Sequence, residues 1–332
     1  MTNENAGLKR FWLLHDAELP PFTSAIPLFG KGTMNPTPET PRVTAFAAIQ
    51  SIRLVLLDAG IDEAPLEAEL LIRHVTGIDR AALFADPDRT ITVAESQQLD
   101  MLLARRCKRE PLPYIMGHWE FYGLDYIVND SVLIPRPETE TLVDEALLNA
   151  LPTVQGNRPI TIADVGTGTG CVAISLAKRL PHATVVATDL SADALAVAKQ
   201  NVERHNAQSQ VRLVECDLLA GAEGPIDIIV SNPPYLPDDD ISTLQPEVAT
   251  YEPRFALVGG TDGLSIIKRL LKQASKLLSP NGAVMLEFNP PQTEALLSIA
   301  RSIWPDASPR VGKDLAGLDR VLVVELEGRS IA

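Results

Sequence analysis

Apolar strand segments alternate with helical segments in the second half of the chain, and this alternation constrains the fold more than any other feature. The predicted strands and helices, in chain order, are Ile160–Val165, Cys171–Leu180, Thr184–Thr188, Ala192–His205, Val211–Val214 and a last strand that ends at Ser231. Repeats of this kind form a parallel sheet with helices on both faces. The sequence therefore predicts an open α/β sheet that binds ligands beyond the carboxyl ends of its strands.

A glycine-rich loop follows the first predicted strand. It reads Asp164-Val165-Gly166-Thr167-Gly168-Thr169-Gly170, with glycines where a tight turn and a close approach of the backbone to a ligand are needed. The third glycine comes one residue too early for the Gly-x-Gly-x-x-Gly dinucleotide pattern, and the loop lacks the Gly-Lys-Ser/Thr of a phosphate loop. We therefore expect a nucleotide-like cofactor without phosphates, with its charged amino-acid end near Asp164.

Polar residues also follow the other predicted strands. Asp189 ends the second strand, where we expect it to bind ribose hydroxyls, and Asp217 follows the third, where it would flank an adenine. Each acid alone is more typical of a solvated surface. Together with Asn232 after the last strand they favour one site at the carboxyl edge. A dehydrogenase stays open as an alternative, although it would not explain the sequence around Asn232.

The last strand stops at Asn232-Pro233-Pro234-Tyr235, because two prolines cannot continue a strand ladder. An Asn before Pro is held extended, so its carboxamide projects in a fixed direction. That group offers one acceptor oxygen and two donor hydrogens, and the proline carbonyls add acceptors. The combination suits a substrate NH₂ group, whereas the simpler interpretation is an ordinary Asn-Pro turn.

The rest of the chain predicts further segments. Residues 1–42 are rich in proline and are expected to be a disordered extension, whereas residues 43–115 have helical periodicity and form a candidate helical bundle for recognising a partner. Aromatic and β-branched residues around Gly123 predict a β-hairpin linker over 116–135, and the α/β domain spans 136–328. The basic run Arg105–Arg109 is interpreted as a solvated helix end.

Composition excludes several classes of protein. A net charge of -14 argues against a protein that holds nucleic acid stably by neutralising its phosphates. No apolar run is long enough to span a membrane and no secretory signal is recognisable, so we expect a cytoplasmic protein. The cysteines Cys107, Cys171 and Cys216 fit neither a disulfide framework nor a metal site, and no metal is expected.

Four motifs lie between Glu110 and Glu325: Glu110-Pro111 with Tyr114, Ile134-Pro135-Arg136-Pro137-Glu138-Thr139-Glu140, the glycine loop, and Asn-Pro-Pro-Tyr. With these motifs the stretch resembles the HemK/PrmC family of S-adenosylmethionine-dependent protein-(glutamine-N5) methyltransferases, which modify peptide chain release factors. Asn-Pro-Pro-Tyr is shared with DNA and RNA N-methyltransferases. Arg-Pro-Glu-Thr-Glu together with it is far more specific.

The resemblance implies a class I (Rossmann-like) S-adenosylmethionine-dependent methyltransferase domain over 136–328, a substrate-recognising helical domain over 43–115, and a last strand, Val321–Glu325, that pairs antiparallel. The substrate would be the glutamine of the Gly-Gly-Gln motif in a release factor. The implied cofactor residues are Asp164, Gly166, Thr167, Gly168, Thr169, Gly170, Asp189, Asp217, Leu218 and Asn232; the implied substrate residues are Asn232, Pro233, Pro234 and Tyr235. Many relatives carry an aromatic residue in place of Leu218, and a glycine soon after the acid of Leu286-Glu287, where this chain has Asn289-Pro290-Pro291.

The implied chemistry demands positioning above all, because an amide nitrogen is a poor nucleophile. The Asn232 side-chain oxygen and the Pro233 carbonyl are expected to hold the two amide hydrogens, with Tyr235 as a wall of the pocket. One rival is an adenine methyltransferase that acts on a flipped base with the same four residues. A second rival is a binding module that has kept the fold without catalysis.

Overall fold

A computed structural model describes residues 43–155 and 159–326. The predicted disordered extension, 1–42, lies outside these described residues. The chain divides into two compact units, Met1–Leu103 and Ala104–Ala332. Within the described ranges no helix is both long and apolar enough to cross a membrane.

The first unit is helical. Its helices are α1 Ala45–Asp58, α2 Ala64–Thr76, α3 Arg80–Ala85 and most of α4, which spans Val93–Arg106. The Thr44 and Asp79 side chains accept from backbone N–H groups at the starts of α1 and α3, as N-cap residues do. Gly77 ends α2 in the left-handed conformation. The helices enclose fully buried side chains, namely Ile52, Leu56, Leu71, Ile72 and Leu99.

The second unit contains the sheet. Its helices are α5 Leu112–Met116, α6 Glu140–Gln155, α7 Cys171–Arg179, α8 Ala192–Arg204, α9 Pro246–Tyr251, α10 Ser265–Leu277 and α11 Thr293–Ile303. Its strands are β1 His118–Phe121, β2 Leu124–Ile127, β3 Ile160–Val165, β4 Ala183–Asp189, β5 Val211–Glu215, β6 Ile226–Ser231, β7 Leu278–Glu287, β8 Arg310–Lys313 and β9 Asp319–Glu325. The short strands β1 and β2 form the predicted hairpin.

Seven strands form one sheet in the order β5-β4-β3-β6-β7-β9-β8. The pairs from β5 to β7 are parallel, whereas β9 runs antiparallel between β7 and β8, as the family resemblance implied. The chain leaves β3 in one direction to add β4 and β5, and then returns to the other side of β3 with β6. The strand order therefore reverses between β3 and β6, which is where sheets of this type bind ligands.

Both faces of the sheet are buried. Side chains alternate along β3, so that Ile160 and Ile162 pack on the face covered by α6, α7 and α8, whereas Ala163 and Val165 pack on the face covered by α10 and α11. The same two-residue alternation continues in β6, β7 and β9. The result is the three-layer α/β architecture that the sequence predicts, and the predicted fold class is confirmed.

A buried amide connects the hairpin to the glycine loop. Asn201 on α8 is fully buried; its Oδ1 accepts from the Ile127 N–H at 2.7 Å, and its Nδ2 donates to the carbonyls of Ile127 at 3.0 Å and Thr169 at 2.9 Å. All three bonds go to backbone groups, so one side chain holds the end of β2 and the end of the loop in fixed positions.

We expect Asn201→Ala to destabilise the second unit by roughly 2–4 kcal/mol, because it leaves backbone groups without partners in a buried place. Gln200→Ala is the matched control, since that amide is exposed and donates only to the Ala196 carbonyl of its own helix. Urea unfolding followed by circular dichroism measures the difference. Equal midpoints for the two variants would contradict the assignment.

Candidate active site

The loops after β3 and β6 lie side by side at the carboxyl edge of the sheet. Val165 is the register partner of Ser231, and the Ser231 hydroxyl donates to the Val165 carbonyl at 2.6 Å. A cleft opens above them. The described residues that line it include Leu133, Pro135, Arg136, Thr139, Asp164, Gly166, Thr167, Gly168, Thr169, Asp189, Leu190, Asp217, Leu218, Asn232 and Pro234.

The glycine loop presents its backbone to this cleft. Gly166 and Gly168 have φ angles of +70° and +53°, which L side chains rarely adopt, and a Cβ at either position would meet no atom within 4 Å. At Gly170, which does not line the cleft, a Cβ would lie 3.3 Å from the Ile174 side chain. Two glycines therefore leave open space for a ligand, and the third allows close packing of α7 and α8.

Asp164 lies beneath the loop. Its Oδ2 accepts from the Thr167 hydroxyl at 2.6 Å and from the Ala173 N–H at 3.1 Å. Burial raises the pKa of the Asp164 carboxyl to about 6, in spite of these two donors. A buried carboxylate of this kind favours a cationic ligand group beside it.

Asp189 lies at the end of the neighbouring strand β4 and also lines the cleft. Its Oδ2 accepts from the Gly168 N–H and its Oδ1 from the Ser191 N–H, both at 2.9 Å. Burial raises the pKa of Asp189, while the two N–H groups oppose this. Because each carboxylate oxygen can accept two hydrogen bonds, both oxygens keep capacity for ligand hydroxyls.

Asp217 and Leu218 form the rim of the cleft beyond β5. Asp217 makes an ion pair with Arg269, and both side chains are about half exposed. Leu218 has a φ of +56°, which is uncommon for a residue with a side chain. This backbone conformation marks the position at which the chain turns after β5.

Asn232 takes part in a chain of hydrogen bonds. Its Nδ2 donates to the Thr139 hydroxyl oxygen at 3.0 Å, and that hydroxyl donates to Glu287 Oε2 at 2.7 Å. The other carboxylate oxygen of Glu287 accepts from the Tyr235 hydroxyl at 3.1 Å. Burial raises the pKa of Glu287, whereas the two hydroxyl donors and nearby Arg320 oppose this.

Pro233 and Tyr235 are not among the described residues that line the cleft, whereas Asn232 and Pro234 are. The Tyr235 ring packs against the hydrophobic cluster under α10 and α11. Burial, followed by the charge of Glu287, raises the Tyr235 pKa, so its hydroxyl stays protonated. Tyr235 is therefore linked to Asn232 through the hydrogen bonds of Glu287 and Thr139.

Two ion-pair groups hold the segment between β6 and α10. Glu252, which is buried, accepts from the Arg136 guanidinium and from the Ile134 N–H. Burial alone would raise the pKa of Glu247. The carboxylate accepts hydrogen bonds from Arg106 at 2.8 Å and Arg109 at 2.9 Å, and these keep its pKa below the usual value.

The interpretation of the basic run as a solvated helix end is wrong for Arg106. Its side chain is only 5% exposed, and its partner Glu247 lies 141 residues further along the chain. Arg105 and Lys108 do fit the surface interpretation, since both are exposed, and Arg105 pairs with nearby Glu110.

The Asn-Pro-Pro-Tyr segment rests on a glycine-containing loop before α10. A Cβ on Gly259 would lie 2.5 Å from the Pro234 carbonyl oxygen, and one on Gly263 would lie 2.1 Å from the Tyr235 carbonyl oxygen. Gln292 stabilises the same contact, because its Nε2 donates to the Tyr235 carbonyl at 2.9 Å. Neither glycine leaves room for a side chain.

Sequence reasoning missed the roles of Thr139, Glu252, Glu287 and Gly263. A signal was present for Glu287, which ends β7 at the same edge of the sheet as Asn232. Thr139 lies within Arg-Pro-Glu-Thr-Glu, a motif that carried the family resemblance without assigning a role to its hydroxyl. For Glu252 and Gly263 the local sequence contains no comparable signal.

The residues present fit S-adenosylmethionine. The space above Gly166 and Gly168 admits a flat ligand against the backbone, Asp189 offers acceptors for hydroxyls, and Asp164 is suited to an ammonium group. Two family models match the chain: the PrmC N-terminal domain over residues 47–117 and the methyltransferase small domain over residues 142–246. Fold and site thus define a class I S-adenosylmethionine-dependent methyltransferase.

Curated relatives identify the family. The chain is 42% identical over 269 residues to the release factor glutamine methyltransferase of Geobacter sulfurreducens, covering 80% of this chain and 91% of that protein. It is 40% identical over 269 residues to the protein of that name from Chlorobaculum tepidum, covering 79% and 90%. The chain belongs to the release factor glutamine methyltransferase family, and the predicted resemblance is confirmed.

A solved structure supports the fold. The hMettl16 catalytic domain, in complex with the MAT2A 3'UTR hairpin 6, is 16% identical, covers 77% of this chain and 95% of its own, and has a TM-score of 0.51. At this identity the likeness concerns the fold alone.

We expect Gly263→Ala to lower methyl transfer by at least about tenfold, because its Cβ would displace the Tyr235 carbonyl and with it Asn232. Gly317→Ala is the control: its φ of +78° is similar to the +68° of Gly263, but its Cβ would meet no atom within 4 Å. Both variants carry the same backbone strain, so a comparison of their turnover numbers isolates the contact. Similar losses in the two would remove Gly263 from the site.

Proposed function

We propose that this protein transfers a methyl group from S-adenosylmethionine to the side-chain amide nitrogen, N5, of the glutamine in the Gly-Gly-Gln motif of a peptide chain release factor. The observation that carries the proposal is the carboxamide of Asn232, held by Thr139 beside the glycine loop. Family membership gives the reaction class, and the names of the relatives give the substrate.

In the cofactor half of the cleft, three sets of residues would hold S-adenosylmethionine. Asp164 would neutralise the ammonium group, the backbone of Gly166 to Thr169 would lie beneath the ligand, and Asp189 would accept from the ribose hydroxyls. Asp217 and Leu218 would flank the adenine. Bound S-adenosylmethionine supplies a methyl group already activated by its sulfonium charge.

In the substrate half, Asn232 and Pro233 would hold the glutamine amide. Since Nδ2 of Asn232 donates to Thr139, its Oδ1 is available to accept one amide hydrogen, and the Pro233 carbonyl would accept the other. Holding both hydrogens aims the nitrogen lone pair and favours its release from conjugation with the carbonyl. Correct orientation supplies much of the rate increase in such a reaction.

The remaining assignments concern partners and place. We infer that the helical domain over 43–115 recognises the release factor, that residues 116–135 link it to the methyltransferase domain over 136–328, and that the reaction occurs in the cytoplasm, where release factors act. The net charge of -14 supports a protein substrate over stable nucleic-acid binding.

The direct test is mass spectrometry of a purified release factor after incubation with the enzyme and S-adenosylmethionine. We expect one added methyl group on the glutamine of Gly-Gly-Gln. Asn232→Ala should lower kcat by about 10²–10³, because one pre-organised polar group at the reacting centre is lost. Its cofactor affinity, measured by titration calorimetry, should fall far less.

Two outcomes would overturn the proposal. Methylation of an adenine-containing oligonucleotide, with none on the release factor, would favour the nucleic-acid methyltransferase. Cofactor binding without turnover on any release factor would favour a binding module.

Cofactor affinity should depend on pH through Asp164. The pKa of its carboxyl is raised to about 6, so the carboxylate is ionised above pH 7 and becomes protonated as the pH falls through 6. The attraction for the ammonium group is then lost. Below pH 6 we expect Kd to rise by up to about tenfold per pH unit, as for linkage to one proton.

Titration calorimetry between pH 5 and pH 8 measures this dependence. Asp164→Asn keeps an acceptor for Thr167 and Ala173 but has no ionisable group, so its affinity should be weaker at pH 8 and nearly constant over the range. If Asp164→Asn keeps the pH dependence of the unaltered protein, a different group must titrate.

A further inference from the structure

Thr139 and Glu287 lie behind Asn232, and both are buried. Thr139 is 3% exposed and Glu287 is 1% exposed. Thr139 ends the short helical turn Pro137–Thr139, and Glu287 ends β7, so two separate parts of the second unit bring them to the end of β6. The hydrogen bonds among them span 93 and 148 residues of sequence.

An ionised Glu287 gives the chain of bonds a single direction. An ionised carboxylate can only accept, so Glu287 requires a donor at each oxygen, and the Thr139 and Tyr235 hydroxyls supply them. Thr139 has a single hydroxyl hydrogen. Once that hydrogen is donated to Glu287, the Thr139 oxygen can only accept from Asn232.

The direction decides which atom of the Asn232 carboxamide faces Thr139. Only the amide nitrogen can donate, so Nδ2 must point to Thr139 and Oδ1 must point away from it. With the opposite proton order, Thr139 would donate to Asn232 Oδ1, and the carboxamide would present its NH₂ group instead. An NH₂ group cannot accept hydrogen from a substrate amide.

We propose that Thr139 and Glu287 are positioning residues, whose directed hydrogen bonds hold the Asn232 carboxamide with its oxygen available to the substrate amide. The catalytic consequence rests on the proposed function. The orientation of the Asn232 carboxamide, in contrast, is a property of the protein without ligands. Tyr235 belongs to the same arrangement, since it occupies the second oxygen of Glu287 and leaves the first for Thr139.

The orientation is measured first, with neither cofactor nor substrate present. In ¹H–¹⁵N spectra of protein labelled at asparagine, one Asn232 side-chain amide proton should be shifted downfield by its bond to Thr139. Thr139→Val keeps the size of the side chain but removes the hydroxyl, so that shift should disappear. Thr139→Ser should restore it. An unchanged Asn232 signal in Thr139→Val would overturn the proposal whatever the enzyme methylates.

The kinetic consequence is measured with S-adenosylmethionine and a release factor. We expect Thr139→Val to lower kcat by about 10- to 100-fold with little change in the KM for cofactor, and Thr139→Ser to recover most of the loss. Thr161→Val is the matched control, because Thr161 lies near the opposite end of β3 and should leave kcat unchanged. The loss of a purely structural residue would not lower kcat while leaving the KM for cofactor nearly unchanged.

A double-mutant cycle shows whether Thr139 acts through Asn232. In the Asn232→Ala background, Thr139→Val should change kcat by less than about twofold, because nothing remains to be oriented. Full additivity of the two losses would overturn the proposal. Glu287→Gln provides a second variant should Thr139→Val fold poorly: its amide can donate to Thr139 and so permits the reversed order, and we expect a comparable loss of kcat. Inactivity of the unaltered protein on release factors would instead refute the proposed function.

Discussion

The parallel pairing of β3 with β6 is the constraint on which the site depends. The pairing places Val165 opposite Ser231, so the residues that follow, Gly166 and Asn232, emerge next to each other. The chain between them adds β4 and β5 on the far side of β3, which leaves the space above the two loops uncovered. A shift of one residue in this register would turn every buried side chain of β6 to the other face, so the burial of both faces also fixes the site.

Four buried carboxylates of the second unit are each compensated by neighbours. Asp164 and Glu287 have pKa values raised by burial, but backbone N–H groups or hydroxyls donate to both. Glu247 and Glu252 are held instead by arginines. Removing one member of such a group leaves an unpaired charge in a buried place, which costs several kcal/mol. These carboxylates are therefore held in place by electrostatics as well as by apolar packing.

The sequence predicted those features that depend on local periodicity and on strand polarity. The bounds of β3 and α8 agree with the structure to within a residue, and Asp164, Asp189 and Asn232 do line one cleft. The contacts of Thr139 and Arg106 could not be predicted from the sequence, because their partners lie 93 to 148 residues away. No local pattern specifies which acid accepts from which donor. The predicted wall position of Tyr235 depended on a side-chain direction, which strand polarity alone does not determine.

The two halves of the cleft are suited to ligands of different charge. The cofactor carries charge, so carboxylates with fixed donors can bind it through strong interactions that tolerate small errors of distance. The substrate amide is neutral and a weak nucleophile, and an acceptor helps only when it meets the amide hydrogens at the correct angle. In the proposed reaction Asn232 must therefore be held more strictly than Asp189. The structure provides such support as a chain of hydrogen bonds, in which Asn232 donates to Thr139, and both Thr139 and Tyr235 donate to Glu287.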